Sequence, residues 1–235
     1  YDIDAMKANV DAFYAWVAGA RTEDARPRGG WGATWETMAP GLIRFFEFKA
    51  QTVNAIAGRL RRALDTHGFD ATVLYAPGFA MPMSIDNGLD YGSLARLSDR
   101  VIVQSKMYRF HWGLMVGWYA SALERLNDHG VAAESWVPFV TSMLEIEDDE
   151  EPSLDRFRMP TPDERGPVTL ATEQQKSRQM VDATGEGVGM LRVHAYGRAD
   201  VFEERLRNAR SLPLRGIAIQ RFRYCADEKL EALRR

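Results

Sequence analysis

Apolar positions recur every three or four residues from Met6 through Val10, Phe13 and Tyr14 to Val17, the spacing of one helical face, and Gly19 ends the run. Asp4 stands where an N-cap oxygen accepts from first-turn amides. In a second reading, Tyr1-Asp2-Ile3-Asp4 ends a strand and turns a carboxylate toward a site. A loop rich in Arg, Pro and Gly follows over Thr22 to Thr34, with Trp31 and Trp35 as packing or ligand-stacking rings. Beyond Pro40 the pattern predicts a long helix that buries Leu42, Phe45, Phe46, Lys49, Val53, Ile56, Leu60 and Leu64. Arg59, Arg61 and Arg62 fall on its water face, and His67-Gly68 closes it.

The pattern then changes period. Ala71 to Phe79 reads as a strand broken by Pro77-Gly78, and a loop with Asp86 and Asp90 leads to a short helix over Tyr91 to Leu97. Arg100 to Lys106, centred on Val101-Ile102-Val103, is a β-branched run of the kind buried in parallel sheets. After Gly113, Leu114, Met115, Trp118, Leu123 and Leu126 predict a helix stopped at His129-Gly130. Ala132 to Thr141 reads as a third strand interrupted by Pro138, followed by an acidic and Pro-rich insertion at about 145–167. A polar, surface-type helix over Thr169 to Ala183 precedes a strand over Gly187 to Gly197, a helix over Val201 to Ala209, a strand over Arg215 to Tyr224 and a closing helix. Strand and helix alternate without hairpin signals, which predicts an α/β fold of parallel β/α units.

Composition narrows the partners. A net charge of -3, with basic residues scattered among acids, supplies no electrostatic footprint for nucleic acid. Cys225 is the lone cysteine, so neither an internal disulfide nor a multi-cysteine metal site is available. No apolar run approaches the ~20 residues that span a bilayer. The chain starts at Tyr1 without Met and without a signal peptide, so either a leader has been removed or this is a piece of a longer protein. The compartment is open, and cytoplasmic if no leader was removed.

Three stretches resemble the later half of (β/α)8 TIM barrels in glycoside-hydrolase-like proteins of bacterial type. WETMAPGLIRFFEFKAQTVNAIAGRLRRAL is similar to the tryptophan and long amphipathic helix after the fourth strand of such barrels. GLDYGSLARLSDRVIVQSKMY is similar to their sixth-strand region, and RGIAIQRFRY to their closing strand. The resemblance implies one barrel-type domain over 1–235, the carboxyl-terminal part of a barrel without its first strands. Tyr1-Asp2-Ile3-Asp4 also resembles the end of the fourth strand of chitinase-like barrels. The position of their catalytic Glu is here Met6, so that residue is not carried over.

In parallel α/β folds the groups just beyond the carboxyl ends of strands line the ligand crevice. Those positions hold Gln104, Tyr108, His111, Trp136, His194, Tyr196 and Arg221, with Tyr75 and Trp112 nearby. Aromatic faces with hydrogen-bonding side chains suit a sugar or another polar small molecule. Glycosidic cleavage adds a carboxylate pair, ~5–5.5 Å apart for retention or ~6.5–9.5 Å for inversion. Asp2, Asp4, Glu134 and Glu145 are the candidates, with Glu134 read as lying inside a strand. No HxH or HExxH spacing calls for a metal, and the glycines at 185, 187 and 189 precede a strand rather than follow one, so no dinucleotide cofactor is indicated. The expectation is a glycoside-hydrolase-like enzyme using carboxylate acid/base chemistry. Its alternatives are a barrel that binds carbohydrate without turnover and an aldolase-type enzyme built on Lys106.

Overall fold

The computed structural model describes residues 2–69, 72–76, 84, 87–103, 109–147, 151–157, 168–185 and 188–234, without the side chains of 75, 76 and 109–113. The chain forms two compact units: one from 1–48, 109–160 and 166–172, the other from 49–108, 161–165 and 173–235.

The first unit is helical. It contains α1 (Ile3–Gly19), α2 (Trp31–Met38), the start of α3 (Pro40–Thr66), α5 (Arg109–Leu126) and α6 (Ala133–Met143). Asp2, rather than Asp4, caps α1, its carboxylate accepting from the amides of Asp4 and Ala5 at 3.0 Å each. The first turn therefore follows Asp2 directly, and Ile3 and Asp4 belong to a helix rather than to a strand end. The core is aromatic: Phe13 lies 4.9 Å from Trp35, Trp31 5.2 Å from Phe46, and Trp16 5.9 Å from Trp136 between ring centroids. Such contacts add about 0.5–1.5 kcal/mol per pair beyond burial. Asn127 joins two helix ends, donating to the Val17 and Ala20 carbonyls and accepting from the amides of His129 and Val131.

Residues 133–143 form a helix instead of the expected third strand. Trp136, Val137, Phe139, Val140 and Met143 are buried at helical spacing, so burial on one side outweighs the strand propensity of the run. Pro138 is accommodated inside α6, and the Thr141 hydroxyl donates to the Val137 and Pro138 carbonyls.

The second unit carries a parallel sheet of β1 (Val73–Ala76), β2 (Arg100–Val103), β3 (Gly189–His194) and β4 (Gly216–Gln220), ordered as in the sequence. The helices of this unit are α4 (Tyr91–Arg96), α8 (Ala199–Arg210) and α9 (Asp227–Arg234), with most of α7 (Leu170–Thr184) and the later turns of α3. Val101 and Val103 of β2 and Leu191 and Val193 of β3 are buried, as are Phe202 and Leu206 of α8. At the start of the sheet the Asp99 carboxylate takes the Thr72 amide at 2.7 Å and Arg61 of α3 at 2.9 Å.

Two expectations about faces need correction. The apolar stripe of α3 fails after its first turns, where Ile56 and Leu60 are more than half exposed. The buried positions Leu42, Phe46, Ala50 and Gly58 follow an i+4 row, which drifts around the helix away from those side chains. Conversely, α7 reads as a polar surface helix, yet Thr172, Glu173, Lys176 and Ser177 are buried. Three of these residues are hydrogen-bonded: the Thr172 hydroxyl donates to the Glu147 carbonyl, Ser177 donates to the Glu173 carbonyl, and Asn208 donates to the Glu173 carboxylate.

Candidate functional site

The carboxyl ends of β3 and β4 bring together three of the residues chosen from sequence. Strand side chains alternate between faces, so Arg192 and His194 share one face of β3. Register pairs His194 with Gln220 and Arg192 with Ala218, which puts Gln220 on that face too. The ladder continues one step past the strands, with the Ala195 amide donating to the Gln220 carbonyl at 2.9 Å. Each strand then turns away and presents one more side chain, Tyr196 after β3 and Arg221 after β4.

Tyr196 is the centre of the cluster. The His194 ring stands edge-on to it at 5.1 Å, and the guanidinium carbons of Arg221 and Arg205 lie 5.3 and 5.7 Å from its ring centroid. Arg205, from α8, also donates to the Tyr196 carbonyl at 3.1 Å. Burial raises the Tyr196 phenol above its ordinary value, the two arginines opposing the shift, so at neutral pH it is an O–H donor. Arg192 is only 7% exposed. Burial, and secondarily the like charge of Arg221, push its guanidinium down to about 10. The Gln220 side-chain oxygen is buried with no hydrogen-bond partner among the described residues. Arg221 itself is left-handed, with φ 58° and ψ 44°, a conformation unfavourable for a residue with a Cβ.

This arrangement can hold an anion. Arg192, Arg205 and Arg221 are cations at neutral pH, guanidiniums match the oxygens of phosphates and carboxylates, and a phenol and an imidazole stand beside them. No group of His, Cys, Asp and Glu side chains among the described residues could hold a metal ion. No described helix is long and apolar enough to cross a membrane.

Gln104, Tyr108, Lys106 and Asp86 lie outside the described residues, and His111 lies on α5, with nothing described of its side chain. Most of the acidic and Pro-rich insertion is likewise outside them. Trp136 sits on α6 rather than at a strand end, fully buried against Trp16 and Phe139. All four carboxylates belong to the helical unit. Asp2 caps α1, and Asp4 is exposed in the first turn, 3.7 Å from Lys7. Glu134, in the first turn of α6 and not in a strand, accepts from the Leu154 amide at 2.8 Å. Glu145 follows α6 with φ 53°, its carboxylate so close to Gly30 that a Cβ there would come within 2.7 Å. Sequence reasoning missed Arg192, which the two-residue period of R-V-H points to, and Arg205, whose helical position hides it.

Compared with models of protein families, with curated proteins and with solved structures, the chain matches none.

Proposed function

We propose that this protein binds a small polar anion-bearing molecule at the carboxyl ends of β3 and β4. Arg192, Arg205 and Arg221 supply the charge, His194 and Gln220 supply hydrogen bonds, and Tyr196 supplies an aromatic edge and a hydroxyl. One observation carries the reading: the guanidiniums of Arg205 and Arg221 converge on the Tyr196 ring, at 5.7 and 5.3 Å from its centroid, beside the buried Arg192 of β3. Convergent guanidiniums favour an anion bound between them. A sugar acid or sugar phosphate joins the required charge to the hydroxyls and apolar ring face expected of a carbohydrate ligand.

Titration calorimetry on the full chain tests this with inorganic phosphate, glucuronate and glucose. Phosphate and glucuronate should compete for one site, glucose alone should bind more weakly, and Arg221→Ala should weaken both anions by about tenfold or more. Absence of binding by either anion at millimolar concentration would overturn the proposal.

A second and finer reading, a (β/α)8 barrel that hydrolyses a glycosidic bond, draws on the sequence resemblance and on the sequential parallel strand order. Singly wound sheets of this order place ligands at the same strand ends. Turnover of an aryl glycoside by the full chain would favour hydrolysis over binding alone.

A further inference from the structure

We infer that Lys229 is the positioning residue of this site: its ammonium ties together the two segments that carry Tyr196 and Arg221. The inference rests on the anion-binding reading above and adds what holds that site in shape.

Lys229 lies on α9 and is 7% exposed. Its Nζ donates to the carbonyls of Ala195 at 2.7 Å, Gly197 at 2.5 Å and Tyr224 at 3.1 Å. An ammonium has three protons, and here each has an acceptor. The carbonyl dipoles replace the water shell that burial removes, which is the condition for a charge to remain stable in such a place. The choice of acceptors matters more than their number. Ala195 and Gly197 flank Tyr196, whose own carbonyl accepts from Arg205. Three consecutive backbone carbonyls, 195 to 197, are therefore each held by a cationic side chain. The third acceptor, Tyr224, closes the short 3-10 turn after β4, and its amide donates to the Arg221 carbonyl at 2.9 Å. One ammonium thus bridges the turn that bears the ring to the turn that bears the guanidinium.

The remaining contacts fit that role. Gly197 is left-handed at φ 92°, a geometry open to glycine, just where its carbonyl meets Lys229. Arg210 of α8 donates to the Ala232 and Leu233 carbonyls near the other end of α9. The helix is fastened at both ends, so Lys229 works from a fixed base.

Lys229→Met preserves the stem volume and removes all three donors. Its phosphate affinity should fall by about tenfold or more, the scale of a lost charged hydrogen-bond set. Carbon-13 tyrosine NMR gives a readout independent of ligand, because the Tyr196 phenol should titrate closer to an ordinary tyrosine once its turn loosens. In Lys229→Ala, methylammonium should restore both properties, while tetramethylammonium, equally charged but without N–H donors, should restore neither. A folded Lys229→Met with wild-type phosphate affinity and an unchanged Tyr196 titration would overturn the inference, as would equal rescue by the two ions. If the wild-type chain binds no phosphate, the anion reading falls and the Tyr196 titration still decides the role of Lys229. Should the variants not fold, acetylation by acetic anhydride is followed in the wild type by mass spectrometry. Lys229 should react far more slowly than exposed Lys7, and more slowly still with phosphate; reaction as fast as Lys7 refutes the inference.

Discussion

At Arg221 the backbone and the side chain make opposite demands. The left-handed turn after β4 costs a residue with a Cβ about 1–2 kcal/mol, and glycine avoids that cost. The guanidinium over Tyr196 needs a side chain there. The conflict predicts a reversal of the usual ranking: Arg221→Gly should be more stable than Arg221→Ala by about 1 kcal/mol in urea denaturation, while both lose phosphate binding. An alanine variant as stable as the glycine one would show that the turn carries no strain. His194, Tyr196 and Arg221 were legible from sequence because each ends or follows a β-rich run, and strand ends are where parallel sheets bind. Lys229 was not, since D-E-K-L-E-A-L-R-R has the composition of a solvated helix. Only the backbone shows that its lysine faces three carbonyls.

Among the elements, those with one dominant signal were legible. The long helix closed at Gly68, the short helix at Tyr91 and the strands at residues 73, 100, 189 and 216 all have clear periods or breakers. The failure at 133–143 came from a segment rich in Val, Phe and Trp whose strand propensity and helical spacing disagree, and propensity is the weaker of the two once a core is available. The joint between α3 and the sheet supports a pH prediction. Asp99 is held below the ordinary aspartate value, first by the Thr72 amide and then by Arg61. The folded chain thus favours the carboxylate more than the unfolded chain does, so acidification protonates the unfolded state first. The stabilisation is complete above the ordinary value near 3.8 and is lost as pH falls through the depressed one. Asp99→Asn should destabilise the protein at neutral pH and reduce the dependence of its stability on pH below that value. Parallel curves for variant and wild type would show that Asp99 contributes nothing through its charge.

For the whole molecule, the sequence pattern reads as one series of β/α units, whereas the described residues form an all-helical unit and a sheet unit, each made of separated stretches of chain. Local periodicity could not reveal this, because the helices of the first unit interrupt the succession of strands: α5 and α6 lie between β2 and β3 in sequence yet pack on each other. Every side chain assigned to the anion site, together with Lys229, belongs to the sheet unit. A ligand that binds only the folded state stabilises it by about 2.7 kcal/mol at a hundred times its dissociation constant. That protection should appear where the ligand's contacts are. Hydrogen exchange with saturating phosphate should therefore slow at the amides of Ala195, Tyr224 and the ends of β3 and β4. The amides of α1 and α6 should change little under conditions where exchange proceeds by local opening. If the largest protection instead appeared around Glu134 and Glu145, phosphate would be bound in the helical unit and the assignment of the site to the sheet would be wrong. Arg221→Ala makes the result decisive, since it should abolish the protection at the strand ends while leaving exchange throughout α6 as it was.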